Sequence, residues 1–111
     1  MIGGYISGPD NYGVASVVVR AIGPSLADLG VTGALQDPTL EIHNSDGDVI
    51  ASNDNWTESP DAQTIMADNL APADERESAL LTIPPPGSYT AIVRGQDNST
   101  GVALVEFYNV D

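Results

Sequence analysis

Short runs of alternating apolar and polar residues, separated by clusters of Gly, Pro, Asn and Asp, cover most of this chain and predict an all-β protein. Ala15 to Ile22 contains three consecutive valines and is apolar on both faces, the pattern of a central strand. Thr39 to Asn44 alternates, with Leu40 and Ile42 on one face and Glu41 and His43 on the other, the latter pair facing outward from an edge strand. Asp46-Gly47 then signals a hairpin. A two-residue loop sets Ile42 opposite Ala51. A three-residue loop, Ser45-Asp46-Gly47, sets Ile42 opposite Ile50 and Leu40 opposite Ser52, and is preferred because it puts Gly47 in the left-handed conformation that glycine adopts cheaply.

The C-terminal half continues the pattern. Ala79 to Ile83 is a strand with Ala79, Leu81 and Ile83 on one face. Ser88 to Gly95 and Gly101 to Asn109 are expected to form a hairpin over Gln96 to Thr100. Tyr89, Ala91, Val93, Ala103, Val105 and Phe107 share its core face. The other face, which includes Ile92, Val102 and Leu104, is apolar enough to need a cover, from the N-terminal segment or a helix. Gly4 to Ser7 reads as a short first strand, Gly8 to Gly13 as a turn cluster, and Ser25 to Leu29 as one helical turn. Ser59-Pro60 reads as an N-cap and first-turn proline of one short helix from Pro60 to about Asn69, with Ile65 and Met66 against the sandwich. The expected fold is a jelly-roll-like antiparallel β-sandwich. It forms a single module over residues 1–111, with an N-terminal strand segment at 1–37 and a core at 38–111.

At 111 residues the chain suffices for one two-layer core. Aromatics are only 5% of the residues, so Val, Ile, Leu and Ala must fill it. Sixteen Asp and Glu face three Arg and no Lys, for a net charge of −13. Such a surface repels phosphate backbones and anionic lipid heads, which argues against nucleic-acid and membrane partners, and it attracts cations. The absence of cysteine excludes a disulfide framework and thiol chemistry. No stretch has the length of a membrane span, and the N-terminus has no basic region or apolar run of signal-peptide length. A secreted form is therefore expected as a mature piece or excised module.

Two sets of residues suggest a family. Leu40 to Asp54 resembles the "dGxxlasnD" hairpin of bacterial pre-peptidase C-terminal domains, and Ile83 to Val93 resembles their "pGtYyirV" strand. Gly101 to Phe107 resembles their final "GxYxLxV" strand, with Ala103 in place of the usual aromatic. Over nearly its full length the chain also resembles repeat modules of surface or secreted proteins of Verrucomicrobia and Planctomycetes type. These share the Arg-Ala-Ile-Gly-Pro-Ser-Leu segment, here Arg20 to Leu26, and the Arg-Glu-Ser-Ala-Leu segment, here Arg76 to Leu80. The resemblance implies an extracellular β-sandwich without catalysis.

Candidate chemistry is sparse. The one histidine, His43, has no second base, and Ser25 in Gly-Pro-Ser-Leu lacks the Gly-x-Ser-x-Gly elbow, so no enzyme is expected. Asp46, Asp48, Asn53, Asp54 and Asn55 offer hard oxygen ligands from two loops and form the candidate calcium site, against the alternative that they are ordinary turn residues. Trp56 is the candidate ligand residue, able to stack on a sugar together with an exposed tyrosine such as Tyr12, or else to pack over the end of the core. Arg94 is expected to pair with Glu106. These features predict a non-catalytic extracellular spacer, adhesion or assembly unit whose partners are other domains of a larger surface protein. The alternatives are a fibre subunit joined by strand exchange through Met1 to Ser7, with copies of itself as partners, and a module that binds polysaccharide.

Overall fold

A computed structural model describes residues 2–7, 16–83, 85 and 87–110. The turn cluster after Ser7, Tyr12, Ala15, Pro84 and Pro86 lie outside the described residues. Among the described residues, seven strands form two antiparallel sheets: β1 (Ile2–Ser7), β2 (Val17–Ile22), β3 (Pro38–His43), β4 (Val49–Asn53), β5 (Ser78–Thr82), β6 (Gly87–Gly95) and β7 (Leu104–Asn109). One sheet has the order β1-β6-β3-β4 and the other β5-β2-β7. The chain crosses repeatedly between the layers, as in a jelly roll, and the all-β sandwich read from the sequence is the architecture observed.

The core follows from the alternation. Leu40 and Ile42 of β3, Tyr89, Ala91 and Val93 of β6, and Val19 and Ala21 of β2 meet between the sheets with Leu80, Leu35 and Ala103, and Val105 and Phe107 pack against them. β2 is central and buried on both faces, as its valines require: Val19 faces the other sheet, while Val18 joins Ile65 and Ala79 in a second cluster on the outside of its own sheet.

That outer cluster is covered by a short helix, α2 (Ala62–Ala67); the earlier helical turn, α1, is Pro24–Ala27. The helix begins later than expected because the Ser59 hydroxyl accepts the Asp61 N–H at 3.2 Å and holds Pro60 and Asp61 in a turn. It stops at Asn69, which adopts a positive φ of 61°. Ile65 is fully buried, but Met66 points outward and is exposed, contrary to expectation.

Three strand expectations need correction. β6 and β7 are not a hairpin: β6 pairs with β1 and β3, and β7 pairs with β2. Residues after Gly95 carry the chain across the sandwich, where Val102 exchanges backbone hydrogen bonds with Gly33 and Leu35 before β7 begins. The shared core face was real, but the two strands face each other across the core rather than lying side by side. Next, β3 is an interior strand between β6 and β4, so His43 does not stand on an edge; β4 is the edge. Finally, Ile42 lies opposite Ala51 and Leu40 opposite Asn53, with a bulge before His43 pairs with Val49. The preferred register is therefore displaced by one, although Gly47 does take its left-handed conformation at φ 85°.

The corner between β2 and α1 is set by Glu77, which is fully buried. Its carboxylate accepts the N–H of Gly23 at 2.9 Å, the N–H of Ser25 at 3.0 Å, the N–H of Asp74 at 3.1 Å and the Ser25 hydroxyl. Its carbonyl accepts the Trp56 N–H at 2.9 Å. Gly23 is required at this corner, because a Cβ there would lie 2.1 Å from the Leu35 carbonyl oxygen. Glu77→Ala leaves three backbone donors and a hydroxyl without their acceptor and is expected to cost ~3–5 kcal/mol. Chemical denaturation checks this; a variant with an unshifted midpoint overturns it.

Candidate functional site

The residues expected to form one oxygen-rich site fall at the two ends of β4. Asp46 and Asp48 sit in the loop before it, where the Asn44 side-chain oxygen accepts both of their backbone N–H groups, at 3.0 and 2.9 Å. Asn53 ends the strand and Asp54 and Asn55 follow it, about 16 Å away at the usual rise per residue. Asn53 is spent on structure: its oxygen accepts the Ala79 N–H at 3.0 Å and its amide donates to the Asn55 carbonyl at 3.1 Å. The Asn55 amide donates to Glu58 at 2.8 Å. Among the described residues, no three His, Asp or Glu side chains converge closely enough to hold a metal ion.

The structure instead pairs Asp54 with Asp37, a residue the sequence did not single out. The two flank the β3–β4 ladder at the same end, just before Pro38 and just after Asn53. One carboxylate oxygen of each is shielded from solvent and lacks a hydrogen-bond partner. Partial burial, and then the charge of Asp37, hold the Asp54 carboxyl above the usual carboxylate range, with Glu58 and Asp97 adding to the repulsion. The only sequence signal available was acid content near a turn, which does not reveal a partner 17 residues away.

Trp56 is partly buried against the cluster of Val18, Ile65 and Ala79, and its indole N–H is shielded without an acceptor. The cations are all engaged. Arg20, not Arg94, pairs with Glu106, at 3.1 Å from Nε, and its guanidinium lies 5.1 Å over the Tyr108 ring. It also donates to the Leu70 carbonyl at 3.1 Å. This follows from the true strand order, in which Arg20 and Glu106 are cross-strand partners in β2 and β7. Arg76 is held by Asp74 in two contacts of 3.0 Å. Arg94 pairs with Glu41 at 2.7 Å across β6 and β3.

Glu41 also accepts from His43, whose other ring nitrogen faces the Gly47 carbonyl at 3.1 Å. With acceptors on both sides, first the Gly47 carbonyl and then Glu41, the imidazole pKa is raised. The His43 contact and then Arg94 lower that of Glu41. The group ties the β3–β4 loop to the sheet.

No protein-family model, no curated protein and no solved structure matches this chain.

Two pH responses are expected. A carboxyl with a raised folded pKa stabilises the fold at low pH and loses that contribution as pH rises through its folded pKa. Asp54→Asn should therefore raise the melting temperature at pH 7 and flatten its decline above the ordinary carboxylate range of about 4. A lower Tm at pH 7 overturns the reading. The His43 contribution is present below about 6.5 and fades as pH rises through its raised value. Its NMR titration midpoint should lie above that of an unstructured histidine and fall in Glu41→Gln; an unchanged midpoint in the variant excludes the contact.

Proposed function

We propose that this chain is a non-catalytic β-sandwich module, a spacer, adhesion or assembly unit of a surface or secreted protein. The observation that carries the reading is how its charged side chains are used. Arg20, Arg76, Arg94, His43 and Glu77 each complete a structural contact, between strands, within a loop or at a corner. Extracellular placement rests on the resemblance of Leu40 to Asp54, Arg20 to Leu26 and Arg76 to Leu80 to the bacterial modules described above. Both motif segments serve the corner: Gly23 and Ser25 supply donors, and Glu77 receives them.

A fibre subunit built by strand exchange is favoured by one feature. β1 is an edge strand held along β6, and a Cβ at Gly3 would come within 2.9 Å of Val105. A strand that fits so closely against its own chain fits equally well against a second copy. Analytical ultracentrifugation over a wide concentration range separates the two. A spacer stays monomeric, while a strand-exchanging subunit forms chains that disappear when residues 1–7 are removed. A glycan array tests the polysaccharide reading, in which binding must fall with Trp56→Ala.

The acidic surface calls for a cation test. With a net charge of −13, added salt should raise the melting temperature by screening. Calcium held by the Asp37–Asp54 end should raise it beyond magnesium at equal ionic strength, because calcium accepts irregular oxygen ligands more readily. In Asp54→Asn the calcium increment should disappear while the general salt effect remains, both measured from the higher calcium-free melting temperature expected of that variant at pH 7. Equal effects of the two ions reduce the site to a screened acidic end.

A further inference from the structure

We infer that the open corner between β4 and β5 is a docking groove for an extended, lysine- or arginine-bearing segment of another polypeptide, added as a strand along β5. β4 and β5 are the terminal strands of their sheets on the same side of the sandwich. At one end they are stitched together. The Ala79 N–H donates to the Asn53 side chain at 3.0 Å, and the Ser78 hydroxyl lies 2.7 Å from both the Asp54 and Pro38 carbonyl oxygens. Toward the other end they part into a groove of about 410 Å³, lined by Ile50, Ala51, Leu81, Thr82, Ile83 and Tyr89 among others.

The backbone of β5 dictates an extended occupant. Ala79 directs its N–H away from β2, toward β4. In a strand, alternate residues direct their backbone groups to the same side, so Leu81 presents its N–H and C=O into the groove. The apolar rims supply the side-chain contacts: Ile50 and Ile83 are 44% and 59% exposed. The bulge opposite Ile42 and His43 breaks the regular edge of β4, which leaves β5 as the strand that pairs.

Charge fixes the class of partner. The groove ends at Asn44, whose side chain carries the loop of Asp46 and Asp48, and all three arginines are paired with carboxylates elsewhere. A second copy would bring another net −13 to the same place. A basic segment instead places its cations beside Asp46 and Asp48. This gives the assembly reading a specific site and rests on it.

The test is an NMR titration of the full chain with an acetylated, amidated peptide that alternates valine and threonine and carries a lysine at each end. A glutamate-ended counterpart serves as the control. Shift changes and slowed amide exchange should be confined to β5, Ile83 and the facing residues of β4. Affinity should fall with added salt, and the glutamate peptide should bind at least about tenfold more weakly. Ile83→Lys and Ile50→Lys, at exposed positions, should each weaken binding about tenfold with the melting temperature unchanged. Shifts spread over the whole acidic surface, equal binding of the two peptides, or binding indifferent to both substitutions overturn the proposal. Protection of the Leu81 amide by concentration-dependent self-association, without peptide, also overturns it; that result keeps the assembly reading and makes a second copy the occupant.

Discussion

A carboxylate taken wholly out of water destabilises the fold around it unless nearly every lone pair finds a donor. Glu77 finds four, and they come from parts of the chain with no other reason to meet: the Gly23–Ser25 corner and the loop at Asp74. Through its own carbonyl the same residue also fixes Trp56. β5 starts at the next residue, so the position of this carboxylate sets where the second sheet begins. The close approach of Gly23 to the Leu35 carbonyl belongs to the same joint, since α1 can turn beneath β2 only where no side chain intervenes. The fold depends on this tie because it locks the loops at one end of the sandwich to each other before any side chain in the core is considered.

What the sequence made legible divides by the range of the interaction. Alternation is local, and it identified every strand approximately, the inward set Leu40, Ile42, Tyr89, Ala91 and Val93, and the doubly buried character of β2. It could not distinguish neighbours within a sheet from partners across the core, because both share an inward face. The β6–β7 hairpin failed for that reason. The expected Arg94–Glu106 pair falls with it, since Glu106 lies beside Arg20 in the other sheet. The displaced β3–β4 register has a different cause: a bulge adds one residue to β4 that no periodicity reveals.

The candidate site was the least legible part. Asp46 and Asp48 and the Asn53–Asn55 group are close in sequence, but a five-residue strand holds them apart. Asp54 meets Asp37, across the ladder, with one oxygen of each left unpartnered. Glu77 was equally hidden: in an acidic loop before a strand it reads as one more solvated carboxylate, and its donors from the Gly23–Ser25 corner lie more than 50 residues away. Polar residues that matter through tertiary contacts carry no local signature, whereas apolar residues declare themselves by spacing.

The two long sides of the sandwich are finished differently, and this asymmetry follows from where small and polar residues fall. On one side Gly3 lets β1 lie close against Val105 and Phe107, drawing the edges of the two sheets together. On the other side Asn53 and Ser78 supply polar bridges between the sheets at one end. Beyond Asn53 the facing residues are Ile50, Leu81 and Ile83, which can bridge no backbone groups, so the edges separate. An open edge is usually blunted by lysine, and this chain has none. Net negative charge takes over that role, because it repels other copies of the same chain as effectively as a lysine row would. Unlike a lysine row, it leaves the edge attractive to a strand of opposite charge. The same charge that opposes edge pairing between copies thus also favours a cationic strand on the open side.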